Sequence, residues 1–126
     1  MTNMPDRTLR NCRVLVVEDE YMLADELTME LGDAGAVVIG PAGTLEDALA
    51  LIEAEPKIDG AILDVNLRGV LVFPAADVLA GRNVPIIFTT GYDAGVFPMR
   101  FDHVHRCEKP ISIMCVTEAI GLVIHG

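Results

Sequence analysis

The sequence predicts an α/β fold: a doubly wound, five-stranded parallel sheet with helices on both faces and a weakened or irregular fourth helix. Three observations carry that expectation. The chain has 126 residues, the length of one domain, and 52% of them are hydrophobic, which suits a single packed core and excludes a disordered chain. Short, continuous apolar runs recur along it, as strands buried on both faces require. Between them lie stretches with apolar residues every three to four positions, and strands alternating with helices at this spacing form right-handed β-α-β crossovers. The domain is expected over residues 11–126, after a flexible N-terminal extension of residues 1–10.

The first strand is Arg13–Val17, too brief for a helix and free of alternation. Leu23, Leu27, Leu31 and Ala34 then recur at helical spacing, with Asp25, Glu26 and Glu30 on other faces, until Gly32 and Gly35 end the pattern. A second strand over 36–39 is stopped by Gly40-Pro41, and Thr44 is a good N-cap with Asp47 near the capping-box position. The second helix carries Leu45, Ala48, Leu49 and Ile52 on one stripe and is closed by Pro56. A third strand follows at 60–63, with Asp64 at its carboxyl end, then a loop over 65–69 and a short helix at 75–80. The β-branched and aromatic residues of 84–89 form a fourth strand. Residues 93–102 contain Gly95 and Pro98 and show no apolar stripe, which weakens any helix there. A brief fifth strand at 104–107 precedes a final amphipathic helix bearing Val116, Ile120, Val123 and Ile124.

Nineteen acidic against nine basic residues give a formal charge of -10, which repels phosphate backbones and anionic lipid headgroups. The expected partner is a protein, a metal or a small molecule, with no nucleic acid and no membrane. No apolar stretch approaches the ~20 residues of a membrane span, and residues 1–10 lack the apolar core of a secretory signal. Cys12, Cys107 and Cys115 are odd in number and lack Cys-x-x-Cys spacing, as fits reduced, mostly buried thiols in a cytoplasmic protein. His103 and His105 have no third soft ligand at matching spacing and read as a surface pair.

In doubly wound sheets, ligands bind outside the carboxyl ends of the strands near the topological switch point. Four of the expected strand ends carry polar chemistry: Glu18-Asp19, Asp64, Thr90-Gly91 and Lys109-Pro110. Singly, each has an ordinary explanation: acids favoured at a helix N-terminus, an aspartate in a turn, an exposed loop lysine. Together they make a site. Like charges about 4 Å apart repel by roughly 1 to 4 kcal/mol, and a carboxylate cluster therefore calls for a cation. Oxygen-only ligands point to Mg²⁺, held by Asp19 and Asp64 together with phosphate oxygens. Such an ion neutralises charge as a phosphoryl group passes to a carboxylate, and Lys109 and Thr90 can grip the remaining oxygens of the aspartyl phosphate.

These residues resemble a family. Val14-Leu15-Val16-Val17-Glu18-Asp19-Glu20, Leu63-Asp64-Val65-Asn66-Leu67, Phe88-Thr89-Thr90-Gly91 and Glu108-Lys109-Pro110 are similar to the four motifs of receiver domains of two-component response regulators. The resemblance covers about residues 13–124 and implies a flavodoxin-like (βα)5 receiver fold. It implies Asp64 as phosphoacceptor, with Mg²⁺ ligated by Asp19, Asp64 and the backbone carbonyl of Asn66, and by Glu18 through a water. Thr90 and Lys109 would each bond a phosphoryl oxygen, the Lys109-Pro110 peptide would be cis, and Gly91 would let backbone approach the phosphate. Tyr92 and Asn66 stand where receivers tune dephosphorylation.

Two departures matter. Most receivers carry a regular fourth helix where 93–102 offers none, and Arg106 stands where many place a switch Tyr or Phe. Arg106 is expected to read the modified state through charge, since a phosphoryl group favours arginine partners. Phe88-Thr89-Thr90-Gly91-Tyr92 resembles the Phe-Ala-Thr-Gly-Tyr signature of a subgroup of stand-alone receivers, whose partners are typically HWE-type histidine kinases. The expected function is a single-domain response regulator, not an enzyme, which takes a phosphoryl group from a sensor histidine kinase or phosphotransfer protein. Output would come through docking a downstream protein, with the first helix and 91–109 as the docking face, or through service as a phosphate sink. The rivals are an unphosphorylated interaction module, a flavodoxin-like cofactor binder and a magnesium-dependent phosphatase of the haloacid dehalogenase type. Asn66 removes the general acid the phosphatase needs, and Glu18-Asp19-Glu20 would repel an FMN phosphate.

Overall fold

The structure, a computed structural model, describes residues 9–91 and 97–126. β1 (Arg13–Val17) is flanked on both sides and divides its side chains between two cores. Leu15 and Val17 enter one, Val14 and Val16 the other, and all four are fully buried. Successive residues of a strand point to opposite faces, and an unbroken apolar run is the sequence of a strand with no solvent on either. Leu9 is also fully buried, and its carbonyl accepts from the Cys12 N–H at 2.9 Å. Packing thus begins inside the stretch expected to be a loose extension.

α1 (Tyr21–Asp33) buries Ala24, Leu27 and Leu31. It ends in a Schellman motif: the Ala36 N–H donates to the Leu31 carbonyl and the Gly35 N–H to that of Gly32. Gly35 has φ of +99°, and a Cβ there would lie 2.9 Å from the Arg10 Cα, so both conformation and space demand glycine. β2 (Val37–Ala42) does not stop at Gly40-Pro41 as expected but runs through it, with that peptide cis. Being an edge strand, it tolerates a proline without losing a ladder bond. α2 (Leu45–Ala54) is capped as expected, Thr44 Oγ1 accepting from the Asp47 N–H at 3.1 Å. At its other end the Arg82 guanidinium donates to the carbonyls of Ile52, Glu55 and Pro56.

β3 (Gly60–Asp64) is buried along its whole length. The loop expected over 65–69 is instead a hairpin, β4 (Asn66–Leu67) against β5 (Val70–Leu71), turning on Arg68 at φ 54° and Gly69 at φ 92°. Two consecutive positive φ values are what a tight two-residue hairpin requires. α3 (Phe73–Gly81) starts two residues before the expected 75 because Pro74 fits a helix's first turn, where no N–H is needed. β6 (Ile86–Thr90) begins later than the expected 84 and includes Thr90. A single 3-10 turn, Met99–Phe101, is the helical structure described between β6 and β7 (His105–Glu108), in keeping with a weakened fourth helix. α4 (Ile113–His125) starts at Ser112, whose Oγ accepts from the Cys115 N–H.

The sheet has the order β2-β1-β3-β6-β7, all parallel, as expected for a doubly wound fold. α2 and α3 cover one face, where Phe73, Phe88, Phe97 and Phe101 pack with ring centroids 5.3–5.8 Å apart. α1 and α4 cover the other. Because the chain leaves β1 toward β2 and returns on the far side at β3, the switch point lies between β1 and β3.

Candidate functional site

The acids stand at that switch point. Val17 and Leu63 are in register, and adjacent strands lie about 4.8 Å apart, so the residues just past each come out side by side. One carboxylate oxygen from each of Glu18, Asp19 and Asp64 falls within 4.8 Å of the others, the one such grouping among the described residues. Lys109 reaches the same point from the end of β7, its own N–H bonded to the Thr90 carbonyl at 2.8 Å and its peptide with Pro110 cis. The ammonium lies 2.9 Å from Asp64 Oδ2, 3.4 Å from Glu18 Oε2 and 3.9 Å from Glu20 Oε1. Asp64 Oδ1 accepts from the Asn66 N–H at 3.2 Å.

Two buried carboxylates, Glu18 and Asp64, face the one ammonium of Lys109 and hold their protons more tightly than usual. Burial pushes Glu18 up to about 8, with the Asp64 charge adding to the rise and the hydrogen bond from the Glu20 N–H opposing it. Burial also raises Asp64, against the pull of Lys109. For Lys109, burial works downward but is outweighed by Asp64, Glu18 and Glu20, and its pKa rises. Glu18 Oε1 is buried without a hydrogen-bond partner. An orphaned buried carboxylate oxygen, an excess of negative charge and oxygen-only donors together fit a hard divalent cation such as Mg²⁺.

The pocket over these groups, about 400 Å³, is lined by Asp19, Asp64, Asn66, Arg68, Gly91 and Lys109 among others. Thr90 is buried at the end of β6, one residue before Gly91. A Cβ on Gly91 would meet nothing within 4 Å, so the protein itself does not impose glycine there. Arg106 is not drawn to the acids: its guanidinium stacks 3.8 Å from the Phe97 ring centroid and lies 3.8 Å from Asp102 Oδ1. Tyr92 lies outside the described residues. Of the thiols, Cys12 is buried, Cys107 half-buried and Cys115 exposed, while His103 and His105 are both exposed. Sequence reasoning missed Arg68, whose Nε is 3.6 Å from Asp19 Oδ2. The Arg-Gly pair between short apolar runs was its available signal, as a hairpin turn beside the site.

No family model matches the chain. It is 30% identical over 122 residues to the transcriptional regulatory protein PdtaR of Mycobacterium tuberculosis, covering 89% of this chain and 56% of that one. The chain thus spans little more than half the length of these curated relatives. SdrG of Sphingomonas melonis Fr1, solved in solution, is 35% identical with a TM-score of 0.74, covering 90% of this chain and 98% of its own. A second SdrG structure records a BeF3-activated conformation. The signal receiver domain of a modulated diguanylate cyclase from Desulfovibrio desulfuricans G20 is 30% identical with a TM-score of 0.76, covering 91% of this chain and 94% of that one. Sequence likeness over nearly the full length, a shared fold, and the convergence of four separate strand ends on one acidic pocket agree: the chain belongs to the receiver-domain family of response regulators.

Proposed function

We propose that the chain is a phosphoacceptor receiver, in which Asp64 takes a phosphoryl group from a phosphohistidine on a sensor histidine kinase, of the HWE type, or on a phosphotransfer protein. The observation that carries this reading is the placement of Asp64 at the end of β3, with Lys109 Nζ 2.9 Å from one oxygen and two further carboxylates within 4.8 Å. Asp19, Asp64 and the carbonyl of Asn66 would hold Mg²⁺, with Glu18 acting through a water. When bound, the ion supplies the positive charge that offsets repulsion between a phosphoryl group and the acids.

The chain's own residues do the rest. Lys109 favours the ionised, nucleophilic form of Asp64. A bond forms between an Asp64 carboxylate oxygen and phosphorus as the P–N bond to the donor imidazole breaks, and its electron pair returns to the ring nitrogen. Lys109 then pairs with one phosphoryl oxygen and the Thr90 hydroxyl bonds another, while Asn66 and Tyr92 tune how long the phosphate lasts. Exposed Tyr21, Met22 and Met29 on α1 offer an apolar docking surface, and Met22 lines a groove that includes Lys109 and Pro110. Signalling then proceeds in the cytoplasm by docking a downstream protein, or the domain drains phosphate from its kinase.

The test is to incubate wild type and Asp64→Asn with acetyl phosphate, with and without Mg²⁺, and follow intact mass and backbone NMR shifts. Wild type should gain one phosphoryl group in the presence of Mg²⁺ and the variant none. Equal labelling of both overturns the assignment, and sustained hydrolysis of a generic phosphate ester would turn the reading to a phosphatase.

A further inference from the structure

A second cation stands over the acidic site. Arg68 occupies the turn of the β4–β5 hairpin, and its ion pair with Asp19, Nε to Oδ2 at 3.6 Å, joins a side chain 82% exposed to one only 14% exposed. The turn is tied to the acids through Asn66, whose N–H donates to Asp64 and whose side-chain oxygen accepts from the Gly69 N–H. The pocket therefore contains two cations on different acids, Lys109 on Asp64 and Arg68 on Asp19. Asp19 is also one of the carboxylates placed to hold a divalent ion, so an ion there competes with Arg68 for the same negative charge.

We propose that Arg68 is a latch on Asp19 that a divalent cation displaces, and that the released guanidinium then binds the phosphoryl group carried by Asp64. This inference rests on the reading of Asp64 as phosphoacceptor. An ion pair whose arginine is largely exposed and whose contact is 3.6 Å long is weak, so the latch yields readily to a divalent charge. A guanidinium offers a planar fork that meets two phosphoryl oxygens at once, whereas an ammonium is a point charge. The long, solvated side chain can swing between the two partners, while the hairpin keeps its base in place. The order is thereby set: cation first, phosphoryl group second.

The backbone supplies a clean variant. Arg68 has φ of 54°, a conformation that asparagine tolerates better than most residues, so Arg68→Asn removes the charge and keeps the turn. Arg68→Lys keeps the charge and loses the fork. The experiment titrates Mg²⁺ into each full-length chain by calorimetry with no phosphoryl donor, then measures beryllofluoride affinity and acetyl phosphate labelling at saturating Mg²⁺. Arg68→Asn should bind Mg²⁺ about two- to fivefold more tightly, yet bind beryllofluoride roughly tenfold more weakly and label more slowly. Arg68→Lys should match wild type for Mg²⁺ and fall between the two for beryllofluoride. Arg100→Ala, which removes an arginine paired with Asp77, controls for net charge and should alter neither.

Mg²⁺ affinity equal to or weaker than wild type in Arg68→Asn overturns the latch, as do matching changes in Arg100→Ala. Unchanged beryllofluoride affinity overturns the second half of the proposal. A wild type that takes no label at Asp64 instead defeats the phosphoacceptor reading, and the Mg²⁺ titration still decides whether Arg68 guards Asp19.

Discussion

Glu18 enters the protein with its side chain almost wholly removed from water, one oxygen bonded to the Glu20 N–H and Lys109, the other unpartnered. Without a metal it resolves this by keeping its proton, its pKa standing at about 8 against an ordinary 4.5. Between those values the folded chain binds a proton that the unfolded chain has released, and stability falls as pH rises through that window. Asp64, raised by the same burial, acts in the same sense. Urea unfolding in EDTA should therefore give its highest stability near the acid end of this window and lose on the order of a few kcal/mol by its upper end. Glu18→Gln should flatten the profile, and an equally steep one would show that Glu18 is not its source.

Helix ends and turns show what the elements contribute. Gly35→Ala should cost about 2 kcal/mol, from a left-handed backbone with a Cβ and from crowding against Arg10, measured as a lowered denaturant midpoint. Thr44→Ala removes the acceptor of the Asp47 N–H and should cost about 1 kcal/mol, while Thr44→Ser should recover most of it. α2 and its cap were legible because a stripe of apolar residues and a polar cap follow local rules. The β4–β5 hairpin was not legible, because strands of two residues carry no period and Arg68 is an uncommon residue at positive φ. The sequence pattern places α3 at 75–80, and the structure begins it at Phe73, because a proline in the first turn starts a helix as well as it ends one.

Across the whole molecule, closing the sheet gathers negative charge at one edge, and relief of that charge should register as stability. Mg²⁺ at ten times its dissociation constant should add about 1.4 kcal/mol and raise Tm by several degrees. At a fixed Mg²⁺ concentration the gain should be larger near pH 8 than near pH 6, where a proton on Glu18 competes with the ion and raises its dissociation constant. Asp19→Asn should remove most of it. A Mg²⁺ effect of equal size in that variant, followed by scanning calorimetry, would place the cation elsewhere. The two cores lie on opposite faces of one sheet, and melting should remain a single transition.

Residue order alone determined the alternation of buried strands with amphipathic helices, and it placed Glu18, Asp19, Asp64, Thr90 and Lys109 at strand ends. Those features are written in spacings of two, three and four residues, which local backbone geometry enforces. Only tertiary structure decided that Glu18 is the buried acid while Asp19 faces Arg68, that Lys109 meets Asp64 at 2.9 Å, and that Arg106 lies on Phe97 away from the site. Three acids in a row look alike in sequence. Distance and dielectric separate them, and both depend on strand order and on how side chains far apart in the chain pack across the sheet's carboxyl edge.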